Sequence, residues 1–494
     1  RQMCIRDRKK SGLCPVADKC GGCSWINQPY AEQLKKKEKQ LGELLAPFCK
    51  IEGVIPMEHP EHYRNKVHAV FGENRYHDAI SGIYEQKSHR IVPVDSCLIE
   101  NAKADEIIVS IRGLLKSFHI RPYNEDTGYG LLRHVLIRTG HVTGQIMVVL
   151  VLTSPILPSK NNFVKALLKL HPEITTVVIN VNNRNTSMVL GDKEHVIYGK
   201  GYIEDELCGK RFRISPRSFY QVNPVQTEIL YGKALEYAGL TGKETVVDAY
   251  CGTGTIGMIA SDKAGKVIGV ELNADAVRDA RNNAKANQIR NIQFYQNDAG
   301  KFLVEMAGQG AKVDVVLMDP PRSGSTEEFM SSVVQIGPER IVYVSCNPET
   351  LVRDLKYFKK KGYRVAKGVG VDMFPFTEHV ETVVLLSHKK ADSYIHIDVE
   401  FGEGEGKIPV DSIAKRAEAY KPKEKVTYKM IKEYIEAKYG FKVHTAYIAE
   451  VKRNLGLPMY DAPNAVEELK QPRKHPTPEK VEAIKDALRY FAVI

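Results

Sequence analysis

The sequence predicts an α/β protein built on a Rossmann-like, doubly wound sheet, on three observations. Over residues 241–388, short apolar runs at 245–247, 266–270, 313–318, 340–344 and 380–386 alternate with helical patterns. Strands apolar along their whole length are buried on both faces, the condition of a mostly parallel sheet covered by helices. Second, "VVDAYCGTGTIGMIAS" follows the first of these runs, with Gly252, Gly254 and Gly257 in G-x-G-x-x-G spacing. Glu271 ends the next run, nineteen residues after Gly252. Third, residues 125–200 alternate apolar and polar positions around Gly-containing turns, as in "GLLRHVLIRTGHVTGQIMVVLVL". That pattern predicts an antiparallel sheet ahead of the α/β part.

The 494 residues suffice for three or four domains at about 150 residues each. Residues 1–11 match no element and read as vector sequence or a truncated start. Residues 12–110 form a loop-rich cysteine region with a Lys-rich helical stretch at 30–45. Residues 111–205 form the antiparallel β domain and residues 206–390 the α/β domain. Residues 391–494 form a basic helical appendage, entered through the Gly-rich "FGEGEGKIP" at 401–409. In the appendage, Gly440 suits a helix C-cap, and Thr477 with Pro478 suits a helix start. Nine Lys/Arg against four Glu between 421 and 453 are compatible with a nucleic-acid-binding helix-turn-helix or with a solvated helical unit.

A formal net charge of +11 and a pI near 9.0 suit a polyanionic partner. No apolar run approaches the ~18 residues of a membrane helix, and no secretory signal pattern opens the chain, so the expectation is a cytoplasmic protein with no membrane partner. In a lysine-rich cytosolic chain, the nine cysteines point to metal binding or catalysis and not to a disulfide framework. Cys14, Cys20 and Cys23 form a tight group in "CPVADKCGGC", and Cys97 follows in "PVDSCLIE". Four such thiols hold zinc or an iron–sulfur cluster; the Cys-x5-Cys spacing is unlike the paired knuckles of zinc ribbons.

The glycine loop and Glu271 fit two ligands, a nicotinamide dinucleotide or S-adenosylmethionine. "VVLMDPPRSG" places Asp319 at the carboxyl end of an apolar strand on a proline-stiffened loop. "YVSCNPETLVRDL" places Cys346 at the end of the next strand. A dehydrogenase has no use for either, so S-adenosylmethionine is favoured.

"DAYCGTGT", "DPPRSG", "VSCNPETLVRDL" and "HVETVVLL", in this order, together with "SFYQVNPVQTEILY", resemble the RNA uracil-C5 methyltransferase family over roughly residues 12–388. The resemblance implies a class I S-adenosylmethionine-dependent methyltransferase domain in which Cys346 is the nucleophile and Glu381 the base. His379 is the rival base. The family's cofactor contacts carry over to Gln221, Tyr250, Glu271 and Asp319. Asp298 stands where many such folds contact adenine, with a helix N-cap as the plain alternative.

The family's 23S rRNA branch carries a [4Fe–4S] cluster on this cysteine pattern. The resemblance therefore implies Cys14, Cys20, Cys23 and Cys97 as its ligands, with zinc the alternative, and 23S rRNA as substrate. A tRNA-modifying enzyme is the alternative within the class, and a non-enzymatic iron–sulfur RNA-binding protein is the rival from another class. Adenine N6 methylation, which also uses an acidic-Pro-Pro loop, is disfavoured by Arg322 and Cys346. Arg64 and Lys66, with Arg133, His134 and Arg138, are the expected RNA backbone contacts. Many members carry a small β-barrel ahead of the cysteines; Cys14 stands so near the start that the expectation is its absence or a truncated chain. The expected assembly is a monomer with RNA and no protein partner.

Overall fold

The computed structural model describes residues 13–184, 188–388, 428–455 and 476–490. The odd start at 1–11 and the Gly-rich segment at 401–409 lie outside the described residues. The chain divides into two compact units, residues 1–394 and 395–494.

The first unit opens with α1 (Ala17–Cys20), α2 (Tyr30–Leu45) and the short strand β1 (Val54–Ile55). On α2, Gln33, Lys37, Leu41 and Leu45 recur every fourth position and are all buried, which puts them on one stripe of the helix. Lys37 is fully buried there because its ammonium meets Asp372 Oδ1 at 2.7 Å and also donates to the Phe374 carbonyl at 3.1 Å. Burial pulls its pKa down, and the Asp372 carboxylate opposes that.

A seven-stranded sheet follows. It comprises β2 (Lys66–Glu73), β3 (Ala79–Tyr84), β4 (Ile91–Pro93), β5 (Leu132–Thr139), β6 (Ile146–Leu152), β7 (Ile174–Val181) and β8 (Lys193–Tyr198), in the order β4-β3-β2-β5-β6-β7-β8. Helices α3 (Ala102–Leu114) and α4 (Lys160–Leu170) belong to this part, and residues of both join its apolar core. Two expectations need correction. The boundary drawn at 110/111 falls inside α3, and β2 pairs with β5 across it, so the loop-rich reading of 12–110 missed three strands of a seven-stranded sheet. The sheet is also not wholly antiparallel. β6 and β7 pair in parallel because α4 supplies the crossover that returns the chain to the same end.

A hairpin of β9 (Ile203–Leu207) and β10 (Lys210–Ile214) then leads into α5 (Pro224–Ala238). The larger sheet is built from β11 (Thr245–Ala249), β12 (Lys266–Glu271), β13 (Ile292–Gln296), β14 (Val315–Met318), β15 (Arg340–Ser345), β16 (Tyr363–Val371) and β17 (Glu381–His388). Their order is β1-β16-β17-β15-β14-β11-β12-β13. β11 to β15 are mutually parallel, and β17 runs antiparallel to both β15 and β16. Alternating helices α6 (Thr255–Ala260), α7 (Ala274–Ala286), α8 (Ala299–Gly308), α9 (Glu327–Ile336) and α10 (Pro348–Lys360) complete the doubly wound layer structure the apolar runs predict. Strand order reverses between β11 and β14, so a crevice opens at their carboxyl ends.

In the second unit, α11 (Tyr428–Tyr439), α12 (Thr445–Asn454) and α13 (Pro478–Tyr490) share a small apolar core around Ile435, Ile448 and Ile484. Gly440, at φ 76°, ends α11 as expected.

The buried ion pair generates a stability prediction. Lys37→Ala leaves the Asp372 carboxylate without its cation in the interior, and urea unfolding is expected to show a loss of about 3–5 kcal/mol. A loss below about 1 kcal/mol, the range of surface pairs, would refute it.

Candidate active site

At the crevice, a cavity of about 510 Å³ is lined by Gln221, Tyr250, Glu271, Asp319, Cys346 and Glu381, the six residues singled out from the sequence. They come from six separate segments. Tyr250 and Glu271 follow or end β11 and β12. Asp319 follows β14, Cys346 follows β15, and Glu381 begins β17. Gln221 precedes α5 and is held from the other sheet's side: Asn65 Nδ2 donates to the Gln221 carbonyl at 3.1 Å, and Asn65 N–H to that of Val222 at 2.9 Å.

The glycine loop is shaped for close approach. Gly254, at φ 80°, would place a Cβ 2.6 Å from the Phe294 ring, and a Cβ on Gly257 would lie 2.7 Å from Asp248 Oδ2. Asp248 Oδ2 accepts from Gly257 N–H at 2.8 Å, and Glu271 accepts from Gly252 N–H at 3.0 Å and Asn273 N–H at 2.8 Å. Tyr250 itself is held at φ 62°, a costly region for a bulky residue. Its ring meets Phe329 at 4.9 Å and its hydroxyl meets Ser325 Oγ at 3.1 Å.

Cys346 and Glu381 are neighbours because of strand register. β15 and β17 pair Ser345 with Thr382, so one step further sets Cys346 opposite Glu381. Asn347 caps α10 by accepting from Glu349 N–H at 3.0 Å, turning the chain away just beyond the thiol. The Asp319 loop is tied to the same helix: Asp354 Oδ2 accepts from Ser325 N–H at 2.8 Å and from the Tyr343 hydroxyl at 2.7 Å.

Burial disfavours charge on the acids of this cavity. Burial pushes Glu381 up to about 8, with the Asp319 charge adding and Arg322 opposing. Burial pushes Asp319 and Asp248 each up to about 7. Burial, then the Glu381 and Asp319 charges, pushes the Cys346 thiol up to about 11, again against Arg322. Arg322 is therefore the cation this site sets against its acids, and the sequence reading assigned it no such part. Tyr231, whose hydroxyl hydrogen-bonds Gln221, also lines the cavity, as do Phe374 and Arg64. Arg322 and Tyr231 stand in quoted motifs, but only the folded chain turns them inward.

His379 does not line this cavity; its ring stands 6.4 Å from that of Phe374. Asp298 also lies outside it. Its side chain caps α8 by accepting from Lys301 N–H at 3.0 Å, and it lines a neighbouring cavity together with Tyr250. The expected RNA-contacting residues divide. Arg64 and Lys66 are half-buried, and Arg64 faces the cavity. Arg133, His134 and Arg138 are buried within β5, so they are not on an exposed backbone-binding face. Arg133 donates to the carbonyls of Asn182 and Arg184, and Arg138 to those of Pro216 and Ser218.

Cys14, Cys20, Cys23 and Cys97 together line a second cavity, of about 300 Å³. Burial raises the Cys20 thiol, pushes Cys23 up to about 11 and pushes Cys97 up to about 12. Among the described residues, no group of three or more His, Cys, Asp or Glu side chains is placed to hold a metal ion. The cysteine segment is stitched to the loop preceding Glu381: Trp25 N–H donates to the Phe376 carbonyl at 3.0 Å and Glu378 N–H to Ser24 Oγ at 3.2 Å.

The chain was compared with known proteins. The family described as tRNA (uracil-5-)-methyltransferase matches residues 29–389. An uncharacterized RNA methyltransferase of Caldanaerobacter subterraneus subsp. tengcongensis is 44% identical over 378 residues, covering 76% of this chain and 83% of the relative. One from Halalkalibacterium halodurans is 43% identical over 381 residues, covering 76% and 83%. Among solved structures, the Pyrococcus abyssi tRNA (uracil-54, C5)-methyltransferase in complex with S-adenosyl-L-homocysteine is similar at a TM-score of 0.63 and 28% identity, over 74% of this chain and 86% of that one.

The Glu381 carboxyl makes stability pH-dependent. Its folded pKa lies above its ordinary 4.5, so it favours folding below pH 4.5 and loses that contribution as pH rises to about 8. Relative to wild type, Glu381→Gln is expected to gain stability across that window, by at most about 1.4 kcal/mol per pH unit. Urea midpoints at several pH values measure this, and parallel curves for the two proteins would contradict it.

Proposed function

Because the chain belongs to the tRNA (uracil-5-)-methyltransferase family, we propose that it transfers a methyl group from S-adenosylmethionine to C5 of a uridine through a covalent Cys346 adduct. Its larger sheet has the mixed α/β, class I methyltransferase-like fold of the Pyrococcus abyssi enzyme. The observation that carries the mechanism is a thiol and a buried carboxylate set opposite each other by strand register, in the cavity that also holds the glycine loop.

Gln221, Tyr250, Glu271 and Asp319 would hold S-adenosylmethionine, which supplies an electrophilic methyl group. Glu271 suits ribose hydroxyls, and Tyr250 lies between the cavity and Phe329. Cys346 adds as thiolate to C6 of the uracil, and the electron pair moves onto C4–O4 as an enolate. C5 then forms the bond to the methyl carbon while the departing sulfur keeps its electron pair. Glu381 removes the C5 proton, the C5=C6 bond reforms and the thiolate leaves. A base inside a helix cannot present C6 to the thiol, so the uridine enters unstacked. Arg322 offsets the negative charge that passes between thiolate, enolate and carboxylate.

The finer reading is a 23S rRNA substrate, supported by the four cysteines around one cavity. Four cysteines are the donor set that a [4Fe–4S] cluster takes once they are deprotonated, and such a cluster would act as a structural clip. Three of the four, Cys14, Cys20 and Cys23, precede the family match, as a branch-specific addition would. A tRNA substrate is the second reading, favoured by the likeness to the Pyrococcus abyssi enzyme.

Labelled S-adenosylmethionine offered with 23S rRNA and tRNA separately tests both readings. Label in 23S rRNA as 5-methyluridine, absent in Cys346→Ala, is expected; label only in tRNA overturns the substrate. Glu381→Gln is expected to slow turnover about 10²–10⁴-fold and to accumulate an RNA–protein adduct that survives denaturing electrophoresis. If the adduct also forms with Cys346→Ala, the covalent step is wrong. After anaerobic purification, iron and sulfide are expected, and lost in Cys97→Ser; zinc without iron would overturn the cluster.

A further inference from the structure

A groove of about 750 Å³ opens on the smaller sheet, away from the catalytic residues, between the β2–β3 turn, β4 and the segment 123–126. Two features set it apart from an ordinary surface hollow. The first is a bulge in β5: Leu132 pairs with Leu152 and His134 with Val151, leaving Arg133 as the extra residue. Consecutive strand residues normally face opposite ways, whereas a bulge re-aims one of them. Arg133 and His134 accordingly both line the groove. They are 4% and 6% exposed, and Arg133 Nε and His134 Nδ1 have no hydrogen-bond partner. Buried polar atoms without partners are costly, so the pair is poised for a ligand that supplies them.

The second feature is the aromatic rim. The Asn74 side chain accepts from Tyr76 N–H at 2.8 Å and Asp78 N–H at 2.9 Å, shaping a turn that leaves Tyr76 67% exposed. The Arg75 guanidinium lies 4.6 Å from the Tyr76 ring centre, and that of Arg133 lies 4.8 Å from Tyr123. The wall is nearly charge-balanced, Arg75, Arg90 and Arg133 against Glu73, Glu125 and Asp126. A phosphate trough would carry a clear cationic excess. Stacking faces with hydrogen-bonding groups at the floor, at least one of them neutral, suit a base. His134 is such a group, since burial holds its ring neutral down to about pH 3.

The groove also continues toward the chemistry. Tyr84 lines both the groove and the cysteine cavity, and Arg64 lines both the cysteine cavity and the active-site cavity. We propose that this groove holds an unpaired nucleobase of the RNA substrate, separate from the target uridine, with its face on Tyr76 and its edge toward Arg133 Nε and His134 Nδ1. The inference rests on the proposed RNA substrate and makes the groove a second grip on the strand beyond the catalytic cavity.

The test uses the full chain and a fluorescent single-stranded oligoribonucleotide containing 4-thiouridine. Tyr76→Ala is expected to raise the Kd about tenfold, the loss of one stacked base, with its unfolding temperature unchanged. Arg75→Ala is expected to weaken binding in the same direction. Wild-type cross-links are expected on peptides covering 73–76 or 121–134. Unchanged Kd in both variants, or cross-links confined to other peptides, would overturn the proposal. If RNA binds and cross-links in the groove but no methyl group is transferred, the proposed function falls and the groove stands. If methyl transfer proceeds while Tyr76→Ala binds RNA as wild type does, the groove falls and the function stands.

Discussion

The antiparallel pairing of β17 with β15 is the constraint on which this site depends. Main-chain pairing fixes Ser345 against Thr382 as the last pair of the register, and the adjoining residues, Cys346 and Glu381, both line the cavity at the carboxyl end of β15. A one-residue slip would turn Glu381 to the opposite face of the sheet and break the pair. The same pairing closes β16 onto the sheet, so its geometry is enforced by bonds far more numerous than those of the site itself. That rigidity allows three acids, Asp319, Cys346 and Glu381, to share one cavity although burial raises all three, Asp319 raises Glu381 further, and both carboxylates raise Cys346.

The loop from Asp372 to Val380, which delivers Glu381, is secured from elements near the start of the chain. Lys37 and the Tyr30 hydroxyl hold the two oxygens of Asp372, Gln33 Oε1 accepts from Phe376 N–H at 2.9 Å, Trp25 N–H donates to the Phe376 carbonyl, and Ser24 Oγ accepts from Glu378 N–H. From α5, Gln226 Nε2 and Asn223 Nδ2 donate to the carbonyls of Asp372 and Met373 at 3.0 Å each. The cysteine segment is thus one hydrogen-bond step from the loop that positions the carboxylate. A clip on those four thiols would stiffen the approach to the active site without entering the chemistry.

Much of this was legible residue by residue. The Lys-rich stretch at 30–45 is α2, and the fully apolar runs are β11, β12, β14, β15 and β17. Gly252, Gly254, Asp319 and Cys346 announce themselves by residue type at a strand end, whereas Glu381 was named through the family resemblance. Less visible were β2 to β4, whose short strands lie among turn residues, and the parallel β6–β7 pair, whose strands look alike in either direction. Arg133, His134 and Arg138 misled in a consistent way, since a polar or charged side chain reads as surface until a buried partner is known.

The sequence by itself determined the chemistry available: a thiol and a carboxylate at strand ends, a glycine loop with its acidic partner, and a close group of three cysteines with a distant fourth. Those follow from local rules, because strand periodicity, turn residues and motif spacing act over a few positions. Only the tertiary structure decided which groups meet. It set Cys346 against Glu381 through strand register, turned Arg322 and Tyr231 inward, buried Lys37 against Asp372, and gathered Cys97 to Cys14. Such meetings depend on packing between segments far apart in the chain, and the pKa of each acid then follows from the water that this packing removes.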